Sequence, residues 1–141
     1  MIENETTTKS NNKKNHISRK VWWGLEAKSY IEIAQELPSS DESLRKWIAI
    51  YAVYHLNFDN RFPWHRYYEF LENAKGSRYV AIEFTIPKST LEINDGIDTS
   101  NVTIIYSQTM DTEEEINVFL TNKGVDPQLF TPPWTCDYPL D

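Results

Sequence analysis

The run Trp47-Ile48-Ala49-Ile50-Tyr51-Ala52-Val53-Tyr54 is continuously apolar, and it limits the possible folds more than any other feature of the chain. An element this uniformly apolar must be covered on at least two sides. It is far shorter than the roughly 20 residues that a membrane-crossing helix needs. Leu44, Trp47, Ile48, Tyr51 and His55 fall on one helical stripe, and Ile50, Val53 and Tyr54 fill much of the opposite side. Ser39 and Glu42, just upstream, stand at capping-box spacing. The pattern predicts a central helix from about residue 40 to Asn57.

Two further helices are expected around it. From Glu26 to Leu37, Ala27, Tyr30, Ile31, Ala34 and Leu37 recur at helical spacing, and Pro38 ends the segment. Pro63 suits the first position of another helix, with Trp64, Tyr67, Tyr68 and Leu71 on one face and Gly76 as its stop. Val21-Trp22-Trp23-Gly24-Leu25, ahead of these, predicts an extended segment.

Beyond residue 78 the apolar period shortens to two. Val80, Ile82, Phe84 and Ile86 alternate with Ala81, Glu83 and Thr85, which predicts a strand near 79–86. Asn94-Asp95-Gly96 is a turn signal, and Val102 to Tyr106 predicts a returning strand. Asp111 or Thr112 can cap a helix near 112–123, with Glu113, Glu114 and Glu115 where the helix dipole favours acids. Pro127, Pro132, Pro133 and Pro139 then forbid regular helix, while Leu129, Phe130, Trp134 and Tyr138 call for burial. The expected architecture is α+β. It comprises about three N-terminal helices, a small antiparallel sheet, a fourth helix and an irregular packed C-terminal tail. A single domain over 19–141 follows a flexible basic tail at 1–18.

Charge is distributed unevenly. Of the net −7, residues 1–20 carry a local +3, which leaves −10 on residues 21–141. From Ser89 onward there are ten Asp or Glu against one basic residue, Lys123. A field of this sign repels nucleic acid and attracts a basic partner. The lone cysteine, Cys136, allows no internal disulfide, and residues 1–20 hold no apolar run of the signal-peptide kind. The expected location is cytoplasmic, in a bacterial or infected-host cytosol; the abundance of Asn, Lys, Ile and Thr is compatible with an AT-rich bacterial or phage genome.

Catalytic signatures are sparse. Four isolated glycines build no phosphate-cradling loop, and there is no Cys/His zinc framework, so neither cofactor nor metal is expected. His55 and Asp59 are four residues apart, as are His65 and Glu69. On helices each pair would share a face, and a carboxylate-oriented His can act as a general base. Cys136 lies in an acidic, Pro-rich tail that disfavours a thiolate. The leading expectation is therefore a non-enzymatic binding or inhibitor protein, of the immunity, antitoxin or phage anti-defence kind. It would mask a basic surface of a partner protein using Asp95, Asp98, Asp111, Glu113, Glu114 and Glu115. Direct nucleic-acid or membrane binding is not expected. The alternatives are a small enzyme using His55/Asp59 or His65/Glu69, and a small-ligand-sequestering protein with Trp22, Trp23 and Trp64 in an aromatic pocket.

Overall fold

The structure, a computed structural model, describes residues 16–59, 67–92 and 99–140. Its centre is a four-stranded antiparallel sheet in simple meander order: β1 (Glu32–Leu37), β2 (Leu44–Ala52), β3 (Tyr79–Pro87) and β4 (Thr103–Met110). Helix α1 (Arg19–Glu26) precedes the sheet, the short helices α2 (Glu69–Glu72) and α3 (Lys88–Leu91) flank β3, and α4 (Glu113–Lys123) follows β4.

The α+β class is as expected, but the order of elements is not. The segments read as the first two helices are the strands β1 and β2, and the segment read as extended, Val21 to Leu25, lies inside α1. The apolar run at 47–54 does need cover on two sides; it obtains that cover as a central strand, extended by a 3₁₀ turn at Val53–His55. A continuous apolar run has no period of its own, so helical and extended forms satisfy it equally. Its β-branched and aromatic residues (Ile48, Ile50, Trp47, Tyr51) favour the pleated form. The Ser39–Glu42 segment makes the hairpin turn. Asp41 Oδ1 accepts from the Ser43 amide at 2.9 Å and from the Ser43 hydroxyl at 2.6 Å, the local bonding that lets Asp build turns. Of the third expected helix, Glu69–Glu72 is helical and Pro63 and Trp64 lie outside the described residues. The later expectations meet β3 and α4 nearly residue for residue, and β4 extends to Met110 rather than ending at Tyr106.

Register gives each face of the sheet its own apolar layer. On one face Ile33, Ile50 and Ala81 align across β1, β2 and β3. They pack under Trp22 and Leu25 of α1 and Ile116, Phe119 and Leu120 of α4, together with Ile17 and Phe130. On the other face Ala34, Ala49 and Ile82 align, and Trp47, Tyr51, Phe84 and Ile86 pack beneath Leu71, Ala74, Tyr138 and Leu140. Full burial of each large side chain is worth about 1.5–3 kcal/mol. Ile17 belongs to this core although the expected loose tail ran to residue 18; residues 1–15 of that tail lie outside the described residues.

The Pro-rich C-terminal segment serves as a cover. Thr131 exchanges two 3.0 Å backbone hydrogen bonds with Ala34 and so bridges the outer edge of β1 at its middle. Trp47 Nε1–H donates to the Cys136 carbonyl at 3.2 Å, and the Tyr51 and Tyr138 hydroxyls pair at 2.6 Å.

Gly24, midway along α1, lets the helix lie against Tyr30, whose hydroxyl donates to the Val21 carbonyl at 2.7 Å. A Cβ added at Gly24 would fall 2.5 Å from Tyr30 Cζ. Glycine-to-alanine inside an exposed helix normally stabilises by about 0.5–1 kcal/mol. Gly24→Ala should reverse that sign and destabilise by about 1–2 kcal/mol in urea unfolding, because the ring must leave its place. A gain in stability would contradict this packing.

Candidate functional site

The two edges of the sheet differ. β1 is bridged at Ala34 by Thr131, whereas among the described residues no strand pairs with the outer side of β4. The β4 sequence, Thr-Ile-Ile-Tyr-Ser-Gln-Thr-Met, has no charge and no proline. Natural edge strands usually carry such residues to discourage pairing with another chain. One irregularity interrupts the ladder: Tyr106 faces Glu83 and Ile104 faces Phe84, so Ile105 is the extra residue of a β-bulge. Ile105 is 52% exposed, and Ile104 and Tyr106 are 40% exposed each.

α4 supplies the neighbouring surface. Tyr106 rests 5.5 Å from the Phe119 ring, with Lys123 Nζ 4.4 Å from its own centroid. A shallow hollow of about 490 Å³ lies between strand and helix, bordered by Tyr106, Met110, Glu114, Val118 and Lys123. Lys123 also bonds Glu83 at 3.0 Å, and Lys46 lies 3.5 Å from the same carboxylate, so the one acid buried on this face is paired with charges from β2 and α4.

The acidic residues singled out in the sequence fall into three groups. Asp95 and Asp98 lie outside the described residues. Asp111, Glu113 and Glu115 have structural partners. Asp111 Oδ1 accepts from the Arg78 amide at 3.1 Å, and Glu113 pairs with Arg19. Glu115 Oε1 accepts from the Asp111 and Thr112 amides at 2.7 and 3.2 Å, while the Glu115 amide donates to Thr112 Oγ1 at 3.1 Å. This is a complete capping box. Glu114 is exposed beside the hollow.

The histidine–carboxylate pairs are not assembled among the described residues. His55 Nε2 bonds the Leu25 carbonyl at 2.8 Å and its ring packs 4.2 Å from Tyr54, while Asp59 pairs with Lys75 at 3.2 Å. Glu69 is exposed at the start of α2, and His65 lies outside the described residues. Burial pushes the Cys136 thiol above its ordinary pKa, which keeps it protonated. No cluster of three or more His, Cys, Asp or Glu among the described residues could hold a metal, and no helix among them is long and apolar enough to cross a membrane. Of the tryptophans expected to line a pocket, Trp22 is in the core against Tyr79, Trp23 is 63% exposed, and Trp64 lies outside the described residues.

A different cavity opens over the other face of the sheet, a groove of about 1250 Å³ walled by Tyr67, Tyr68 and Phe70, with Glu32 and Tyr51 in its floor and Ile104 and Ser107 of β4 in its lining. Sequence reasoning missed it because the wall and floor come from segments far apart in the chain. The alternation that would have placed Glu32 opposite Tyr51 was hidden by the helical spacing of the same residues. The chain matches no protein-family model, no curated protein and no solved structure.

The capping box assigns Thr112 and Glu115 to holding α4 in place. Thr112→Ala should cost about 1 kcal/mol in chemical unfolding, and Thr112→Ser should restore most of it. Equal stability of all three proteins would remove the structural role of this turn.

Proposed function

We propose that the protein is a non-enzymatic binding protein that docks a partner polypeptide along the free edge of β4, in the manner of an immunity protein, antitoxin or anti-defence inhibitor. The observation that carries this reading is the contrast between edges: β1 carries Glu32 and Glu36 and is bridged at Ala34 by Thr131, while β4 offers an uncharged edge strand with Ile104, Ile105 and Tyr106 exposed. A partner strand added there would gain main-chain hydrogen bonds, and alternate side chains would be read on either side of the ladder. Glu114, exposed beside the hollow next to the end of β4, favours a partner segment carrying Lys or Arg. The overall charge of −10 on residues 21–141 would speed the encounter with such a partner.

Ile105→Lys places a charge on the edge at a position the fold leaves exposed. The complex isolated from the protein's own host should weaken by about tenfold or more with this variant, with thermal stability unchanged. Glu114→Lys should weaken it less, and the wild-type complex should loosen as salt rises. A complex that binds Ile105→Lys as tightly as wild type would refute docking at β4, and one indifferent to salt would refute the basic partner.

A further inference from the structure

The half of β4 from Tyr106 to Met110 runs beside one flank of α4, and the two elements keep step. Tyr106, Gln108 and Met110 stand opposite Glu83, Ala81 and Tyr79, on the sheet face that α4 covers. The turn at Asp111 and Thr112 sends α4 back along the strand, so Glu114 lies beside the Met110 end and Lys123 Nζ reaches the Tyr106 ring at 4.4 Å. Four strand residues and nine helix residues each span about 13.5 Å. Glu114, Val118 and Lys123 therefore stand level with Met110, Gln108 and Tyr106 in turn, and all of them border the hollow. Glu113, on the opposite flank of α4, pairs with Arg19 of α1, which leaves the Glu114–Val118 flank beside the outer side of β4. Val118 is 55% exposed, and Glu114 is exposed with no bonded partner among the described residues. At the other end, the charge of Lys123 is already met by Glu83 at 3.0 Å. The flank thus carries a free acid at one end only.

Resting on the reading that a partner polypeptide docks at β4, we propose that the docked segment is an antiparallel strand in which a Lys or Arg is followed, at alternate positions, by two apolar residues. An antiparallel addition continues the meander and pairs slightly better than a parallel one. In that direction the residue opposite Met110 comes first, and those opposite Gln108 and Tyr106 follow on the same face. The first meets Glu114, which attracts a cation and repels an acid. The second comes level with Val118, an exposed β-branched side chain. The third meets the Tyr106 ring, which is 40% exposed and backed by Phe119 at 5.5 Å, and a cross-strand pair with an aromatic or β-branched side chain is favourable there. A cation at the third position would instead approach Lys123. Main-chain bonds to the edge are indifferent to sequence, so these three side chains carry the discrimination.

NMR titration of the full chain with three end-capped peptides tests the proposal. The first is Ser-Lys-Thr-Val-Thr-Tyr-Thr-Ser. The second has Glu in place of Lys, and the third exchanges the Lys with the Thr that follows it, which moves the charge to the other face. The first should bind saturably and shift the amides of Tyr106 to Met110 together with those of Glu114 and Val118. The second and third should bind about threefold to fivefold more weakly, the scale of an exposed ion pair. Glu114→Lys should reverse the order of the first and second peptides, and Glu114→Gln, which keeps the side-chain shape, should bring them close to equal. A nitroxide on the N-terminus of the first peptide should broaden Met110 and Glu114 and spare Thr103. Equal affinity of the three peptides, an order untouched by Glu114→Lys, broadening at Thr103 instead, or no binding of the first peptide would each overturn the proposal. In all of these cases docking at β4 still stands if the complex from the protein's own host is weakened by Ile105→Lys. A host complex indifferent to Ile105→Lys removes docking and this proposal together.

Discussion

The ladder between β2 and β3 carries apolar side chains on both of its faces, and the rest of the fold is arranged to keep water from them. Ile48 and Ile50 point to one side and Trp47 and Tyr51 to the other; Ala81 and Phe84 divide in the same way on β3. Neither layer could be left open, since each large side chain contributes about 1.5–3 kcal/mol through burial. Helices α1 and α4 cover one face. The segment 67–74 and the C-terminal tail cover the other, and the tail's prolines do no harm because its role is to cover one face and one edge. Two side-chain donors drawn in by this arrangement are paired, Trp47 Nε1–H with the Cys136 carbonyl and Gln35 Nε2–H with the Asp126 carbonyl at 2.9 Å.

One place of incomplete cover among the described residues carries the functional proposal. The tail bridges the β1 edge at Ala34, and among the described residues no strand pairs with the outer side of β4. Over the second face, the wall formed by Tyr67, Tyr68 and Phe70 stands away from the sheet far enough to leave a groove above Glu32 and Tyr51. The β4 edge is a backbone surface suited to another polypeptide, and the groove meets it at Ile104 and Ser107.

Some local signals matched the structure, whereas the Ser39–Glu42 spacing and the Trp22-Trp23 pair did not, because the turn and the helix they belong to are set by packing beyond the local pattern. Thr112 and Glu115 announce a capping box because both partners lie within one turn. Val80 to Ile86 announces a strand because Ala, Glu and Thr separate the large residues. In β2 the spacers are absent. In β1 Glu32 and Gln35 are buried, so polarity there marks an interior ligand of the fold and not a solvent face. The acids of 111–115 were legible as charge, but their use as caps and ion-pair partners depends on Arg78 and Arg19, which no local pattern reveals. The aromatic wall of the groove was legible only as apolar spacing, since the facing strand was read as a helix.

Amide hydrogen exchange on the free protein tests the central claim most directly, that a doubly buried β2–β3 ladder supports one edge bridged at Ala34 and one open edge. Residues of β2 and β3 should exchange only through global unfolding, and the Ala34 amide should share that protection through Thr131. Along β4, protected and fast-exchanging amides should alternate, because only every second one faces β3. Uniform protection of Thr103–Met110 at the level of β3 would mean that the edge is already covered in the free protein, and would contradict the account.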